Sequence, residues 1–80
     1  MWNLVSFVKR GKIRRQIIKL LTVPKTPTEV AKEINAHREA TSRAMIALQR
    51  KGLVKCLTPK ERMYRLYGLT EKGKKVLKYI

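Results

Sequence analysis

Between Thr26 and Val54 the chain reads TPTEVAKEINAHREATSRAMIALQRKGLV. This run constrains the fold most, because it carries the start, stop and period of two consecutive helices. Thr26 can cap a helix, Pro27 suits the first helical position, and Glu29 stands three residues after the cap, as a capping box requires. Val30, Ala31 and Ile34 then form the inward face of a helix that runs to about Asn35. Asn35 and Ala36 make the turn, since Asn tolerates a left-handed backbone better than most residues. A second helix is predicted from about Arg38 to Lys51, with Thr41, Ala44, Met45 and Leu48 inward and Gly52 as its stop. Two short amphipathic helices joined by a tight turn make a helix-turn-helix, whose second helix can enter the major groove of DNA.

The flanks complete a single domain over residues 1–80. Trp2, Leu4, Val5, Phe7 and Val8 fit a short first helix, broken at Gly11. From Lys12 to near Thr22, Ile13, Ile17, Leu20 and Leu21 recur at helical spacing until Pro24 and Pro27 forbid continuation. After Gly52 the period shifts towards two. Leu53 to Leu57 and Met63 to Leu69 are predicted as antiparallel strands around a Pro59-containing turn, a wing whose tip lies at about 58–62. Thr70 can cap a last helix with Val76, Leu77 and Ile80 inward. The expected fold class is α+β, mostly helical: a winged helix-turn-helix with a three-helix core, a two-stranded hairpin and a C-terminal helix.

Charge narrows the partner. Twenty Lys and Arg face five Glu, there is no Asp, and the formal net charge is +15. Self-repulsion of this size destabilises a compact monomer, and a polyanion relieves it. Double-stranded DNA is the expected partner. A membrane surface fits less well, because the basic residues are spread over every segment and not along one amphipathic helix. No apolar run approaches the ~18 residues of a membrane span, and the N-terminus reads as a structural helix, not a signal peptide. One Cys and one His exclude an internal disulfide and a metal site built from Cys and His alone, so no cofactor is expected and a reducing cytoplasm fits. Scattered Glu residues and a lone His without an evident nucleophile give no basis for an enzyme.

The candidate DNA-binding residues are His37 just before the second helix, Arg38, Ser42 and Arg43 on it, and Lys60 and Arg62 on the wing. Arg bonds guanine edges bidentately and Ser bonds bases or phosphates. Glu39 has three readings: accepting from cytosine, pairing with Arg43 or lying off the interface. His37 is read as a substitute helix cap, and Thr41 as packing its methyl while its hydroxyl bonds back to the helix. One of Arg14 and Arg15 can hold a phosphate. Tyr64, Tyr67 and Tyr79 are read as core or strand-pair residues, and Cys56 as an inert strand residue. The apolar N-terminal cluster serves either as core cover or, the favoured reading, as a dimer surface for a homodimer on a two-fold operator.

The order of these segments resembles a known group. VAKEINAHREATSRAMIALQRKGLVKC, Val30 to Cys56, is similar to the core of the multiple-antibiotic-resistance (MarR) and arsenical-resistance (ArsR) repressor families. The likeness includes A-x-E-I in the first helix, S-R-A-M-x-x-L in the second, and K-G-L-V entering the wing. Tyr67 to Gly73 resembles the Y-x-L-T-x-x-G ending, and Gly11 to Ile18 resembles the first helix of archaeal members. The resemblance implies a transcription regulator in which Arg38, Ser42 and Arg43 contact DNA. Full-length relatives usually carry extra dimerisation helices or sensor cysteines; this chain has neither, so no small-molecule effector is evident. The alternatives are a non-specific architectural DNA- or RNA-binding protein and a winged-helix protein-interaction module.

Overall fold

The start and stop signals around Asn35 are met by the backbone in the computed structural model, which describes residues 1–80. Thr26 Oγ1 accepts from the Glu29 amide at 3.2 Å, and Glu29 Oε1 accepts from the Thr26 amide at 2.9 Å, opening helix α3 (Pro27–Ile34). Asn35 closes α3 in the left-handed region at φ 54°, and three residues later α4 (Arg38–Arg50) begins. Gly52 at φ 74° ends the unit after α4. Upstream lie α1 (Trp2–Lys9) and α2 (Lys12–Leu20); downstream lie β1 (Val54–Cys56), β2 (Tyr67–Leu69) and α5 (Glu71–Leu77).

The core gathers Val5 and Val8 of α1, Ile17 and Ile18 of α2, Val30 of α3, and Met45 and Leu48 of α4, closed by Leu53, Val54, Leu69 and Val76. Helix α4 packs against both α2 and α3. Strands β1 and β2 pair antiparallel, with Val54 opposite Leu69 and Cys56 opposite Tyr67. On the far side of β2, Lys25 and Tyr67 exchange backbone bonds at 3.1 and 2.9 Å. The residue just before the α3 cap is thus stitched to the hairpin, which ties the helix-turn-helix to the wing. A single bridging residue has no side-chain period, so nothing in the sequence pattern announces it.

Four expectations are corrected. The strands are shorter than predicted, and the wing loop extends well beyond 62. Tyr64 adopts φ 56°, which turns the chain off the ladder, and Thr58 Oγ1 instead accepts from the Leu66 amide at 3.0 Å. Tyr64 and Tyr79 are exposed, and only Tyr67 pairs in the sheet. The N-terminal cluster is divided: Val5 and Val8 are fully buried, Leu4 and Phe7 pack against the core, and Trp2 remains exposed beside Tyr79 with ring centroids 5.0 Å apart. Most of that cluster therefore covers the core. Thr41 is buried with its hydroxyl unpartnered, so the back-bond to the helix is not made.

Helix α5 closes the domain by close approach. Thr70 Oγ1 donates to the Gly52 carbonyl at 2.6 Å and accepts from the Gly73 amide at 3.1 Å, while the Thr70 amide donates to the Leu53 carbonyl. A Cβ on Gly73 would collide with the Leu53 carbonyl oxygen. Replacing a helical Gly with Ala ordinarily gains about 0.5–1 kcal/mol. Here the clash meets backbone that cannot give way, and overpacking costs about 1–3 kcal/mol or more. Gly73→Ala is expected to lower the unfolding free energy in urea by about 1–3 kcal/mol; an unchanged midpoint would refute the close packing. Thr41→Val keeps the shape and removes an unpaired buried hydroxyl, whose burial costs about 1–3 kcal/mol. A higher thermal midpoint is expected, and a lower one would mean that the hydroxyl is bonded in solution.

Candidate nucleic-acid interface

Burial on one side of α4 decides what the other side offers. Thr41, Met45 and Leu48 are buried, and Ala44 is half-buried. Arg38, Glu39, Ser42, Arg43, Ile46 and Arg50 are exposed along a helix of 13 residues, about 20 Å long. Arg38, Glu39, Ser42 and Arg43 line one open concavity with no apolar side chain in it. Glu39 and Arg43 form the ion pair that was one of the three readings of Glu39, at 3.7 Å, with both side chains more than three-quarters exposed. Such a pair contributes only about 0.3–0.5 kcal/mol, so Arg43 can exchange it for a stronger anion at little cost.

His37 occupies the N-cap position of α4 through its backbone, and its carbonyl accepts from the Thr41 amide at 3.0 Å. Its side chain makes no capping bond, which corrects the reading of His37 as a substitute cap. A Ser hydroxyl reaches the first-turn amides over one bond; the exposed imidazole does not turn back onto them. The first turn of α4 therefore has no side-chain acceptor for its amides, a terminus suited to an anion.

A second concavity joins the start of α3 (Thr26, Pro27 and Thr28), Arg38 of α4, and Arg62, Met63, Tyr64 and Arg65 of the wing loop. Arg38 thus belongs to both concavities and links the recognition-helix candidate to the wing. Arg62, predicted as a wing contact, is brought to it. Lys60 is exposed on the same loop but does not line this concavity. Arg65 was missed because Met63 to Leu69 reads as one strand; its place on the loop follows from the turn at Tyr64. Lys12 was also missed: with Arg43 it lines a groove between the start of α2 and α4.

Arg14 and Arg15 are otherwise engaged. Arg14 donates to the Phe7 carbonyl at 2.6 Å and lies 4.0 Å from the centre of the Phe7 ring, and Arg15 donates to the Lys9 carbonyl. Both guanidinium groups satisfy carbonyls in the last turn of α1, which otherwise lack helical partners. They hold α1 onto α2, and the phosphate role considered for them is not supported. Four surface concavities are present; none contains His or Cys, and Glu39 is the one carboxylate among them. No helix is long and apolar enough to cross a membrane.

No protein-family profile matches the sequence, and no curated protein is significantly similar to it. Solved structures match the fold. Lactococcus lactis ZitR, wild type in complex with DNA, superposes with a TM-score of 0.75 at 26% identity over 82% of this chain and 47% of that one. A MarR family transcription regulator, SP03579, gives 0.73 at 27% identity, over 95% of this chain and 57% of the regulator. A mutant of S. aureus MepR gives 0.80 at 17% identity, over 96% and 60%, which speaks to the fold alone. The winged-helix fold is thereby shown. The chain spans about half the length of the ZitR structures it matches, 49% of one ZitR mutant for example.

The concavity next to Arg38 begins at the α3 capping box, which carries a titratable member. The backbone amide of Thr26, then its side chain, hydrogen-bond the Glu29 carboxyl and hold it below the usual carboxylate range, and Lys25 adds to this. A depressed value means that the stabilisation is present above the unfolded-state value of about 4.3 and is lost as pH falls through the lower folded value. Against Glu29→Gln, the wild type is expected to be the more stable protein at neutral pH, with the difference shrinking on acidification. A difference that is constant in pH would remove the charged capping box from the account.

Proposed function

We propose that this chain binds double-stranded DNA and acts in transcription regulation, with α4 in the major groove and the loop between β1 and β2 on the backbone or minor groove. The observation that carries this reading is Arg38 lining two adjoining concavities, so that the exposed turn of α4 and the basic wing loop form one continuous face. The net charge of +15 supplies the long-range attraction. Likeness to ZitR, solved on DNA, and to a MarR family transcription regulator supports the same reading. In this reading Arg38, Ser42 and Arg43 meet bases or phosphates, His37 meets a phosphate, and Lys60 and Arg62 meet the backbone or minor groove. The active form is a homodimer located in the cytoplasm, with exposed Met1, Trp2 and Tyr79 as its candidate contact. The nearer likeness to archaeal members rests on Gly11 to Ile18 alone, whereas the organisms named among the structural neighbours are Lactococcus lactis and S. aureus.

One observation favours a second reading. Ile46 is 48% exposed in the middle of the α4 outer face, as a protein-interaction surface would have it. An apolar side chain there also suits a thymine methyl group, so the charge on either side decides for DNA.

Selection from a random duplex pool, followed by titration at several salt concentrations, tests the proposal. If each chain neutralises about six phosphates, the log–log salt slope is near about −5 per chain, with two chains on each selected site. Arg43→Ala is expected to cost about 1–3 kcal/mol on the selected site and less on random duplex. Equal weakening on both makes Arg43 a phosphate contact, and a slope near zero overturns DNA binding itself.

A further inference from the structure

Met63 and Tyr64 are neighbouring apolar side chains that the wing holds out into solvent, 68% and 79% exposed. Single exposed apolar residues are ordinary. This pair differs in two respects. First, Tyr64 sits at φ 56°, a left-handed region that a bulky residue occupies only under backbone strain. Second, the loop that holds it is fastened at several points. The Leu57 amide donates to the Leu66 carbonyl at 2.7 Å, the Leu66 amide to Thr58 Oγ1 at 3.0 Å, and Arg65 Nε to the Glu61 carbonyl at 2.6 Å. The loop thus presents the two side chains at its tip and gains no core contact in return.

Their surroundings select the occupant. Arg62 and Arg65 flank the pair in sequence, Lys60 lies on the same loop, and Glu61 is the loop's one acid. Arg38 of α4 shares the concavity that Met63 and Tyr64 line. A protein partner for such a tip must be acidic around an apolar pocket. A duplex offers both properties together: a narrow minor groove concentrates negative potential that attracts Arg, and its base steps accept apolar wedges once partly unstacked.

We propose that Met63 and Tyr64 form a wedge that enters the minor groove and partly unstacks one base step, kinking the duplex towards its major groove at that step and away from the wing. This rests on the DNA-binding reading above and assigns these two residues a specificity role there. Pyrimidine–purine steps such as TA unstack most easily, so the wedge selects sites with a TA step beneath the wing without a hydrogen bond to any base.

Two duplexes of equal length and A·T composition test this, one of alternating TA steps and one an uninterrupted A-tract, each labelled at both ends for energy transfer. The full chain is expected to bind the alternating duplex at least about fivefold more tightly and to shorten its end-to-end distance, by a kink in the range of about 20–90°. The variant Met63→Ala/Tyr64→Asn removes the wedge but keeps a residue that tolerates the left-handed backbone. Its affinity ratio should fall to about one and its bend disappear, with the salt slope unchanged. A variant that keeps both the preference and the bend overturns the wedge, as does a wild-type chain that binds both duplexes equally and leaves them straight. Absence of salt-dependent binding to either duplex overturns DNA binding as well, and is thereby told apart from failure of the wedge alone. Tight capture of an acidic peptide that depends on Met63 and Tyr64, in a chain that does not bend DNA, would instead overturn the wedge and make the tip a protein-docking element.

Discussion

The burial of Thr41, Met45 and Leu48 against the core is the constraint on which the rest of the molecule depends. It fixes the rotation of α4 about its own axis. With a period of 3.6 residues, an inward stripe leaves Arg38, Ser42, Arg43 and Ile46 no other direction than outward. Helices α2 and α3 supply the surface on which that stripe rests, and both are held in turn. The bonds from Arg14 and Arg15 hold α1 on α2, and the exchange between Lys25 and Tyr67 holds the start of α3 on the sheet. The close approach of Gly73 to Leu53 then locks α5 over the exit of α4.

Charge has a different role from packing here. The three ion pairs within 4 Å involve Lys25 with Glu33, Arg43 with Glu39, and Lys74 with Glu71, and the latter two are widely exposed. Surface pairs of this kind contribute about 1 kcal/mol at most, so five carboxylates leave most of the positive charge uncompensated. The apolar core therefore holds the fold together against self-repulsion. The same excess charge is what the proposed polyanionic partner would neutralise, which makes folding and binding favour each other in low salt.

Much of this was legible in the chain. The capping box at Thr26, the left-handed turn at Asn35, the stop at Gly52 and the cap at Thr70 are local signals, set by the backbone preferences of a few neighbouring residues, and each stands where it was expected. The wing was read less well. Its strands end early, because beyond the backbone bond from Leu57 to Leu66 the extended pattern from Met63 to Arg65 has no partner across the ladder, and Tyr64 takes a turn conformation that its residue type disfavours. The roles of Arg14 and Arg15 were likewise hidden. Whether an Arg holds a carbonyl or remains free depends on which helix ends beside it, and periodicity carries no information about that.

The sequence by itself determined the element order, the inward stripe of each helix, the joint between α3 and α4 and the excess of positive charge, because these depend on residue type, spacing and local backbone preference. Only the tertiary structure decided which basic residues stand together. It put Arg38 beside Arg62 and Arg65, turned Arg14 and Arg15 onto α1, left the Thr41 hydroxyl unpaired, and held Met63 and Tyr64 out at the tip of the wing. Those outcomes are set by contacts between segments far apart in the chain, where the geometry of packing chooses among side chains that look alike in sequence.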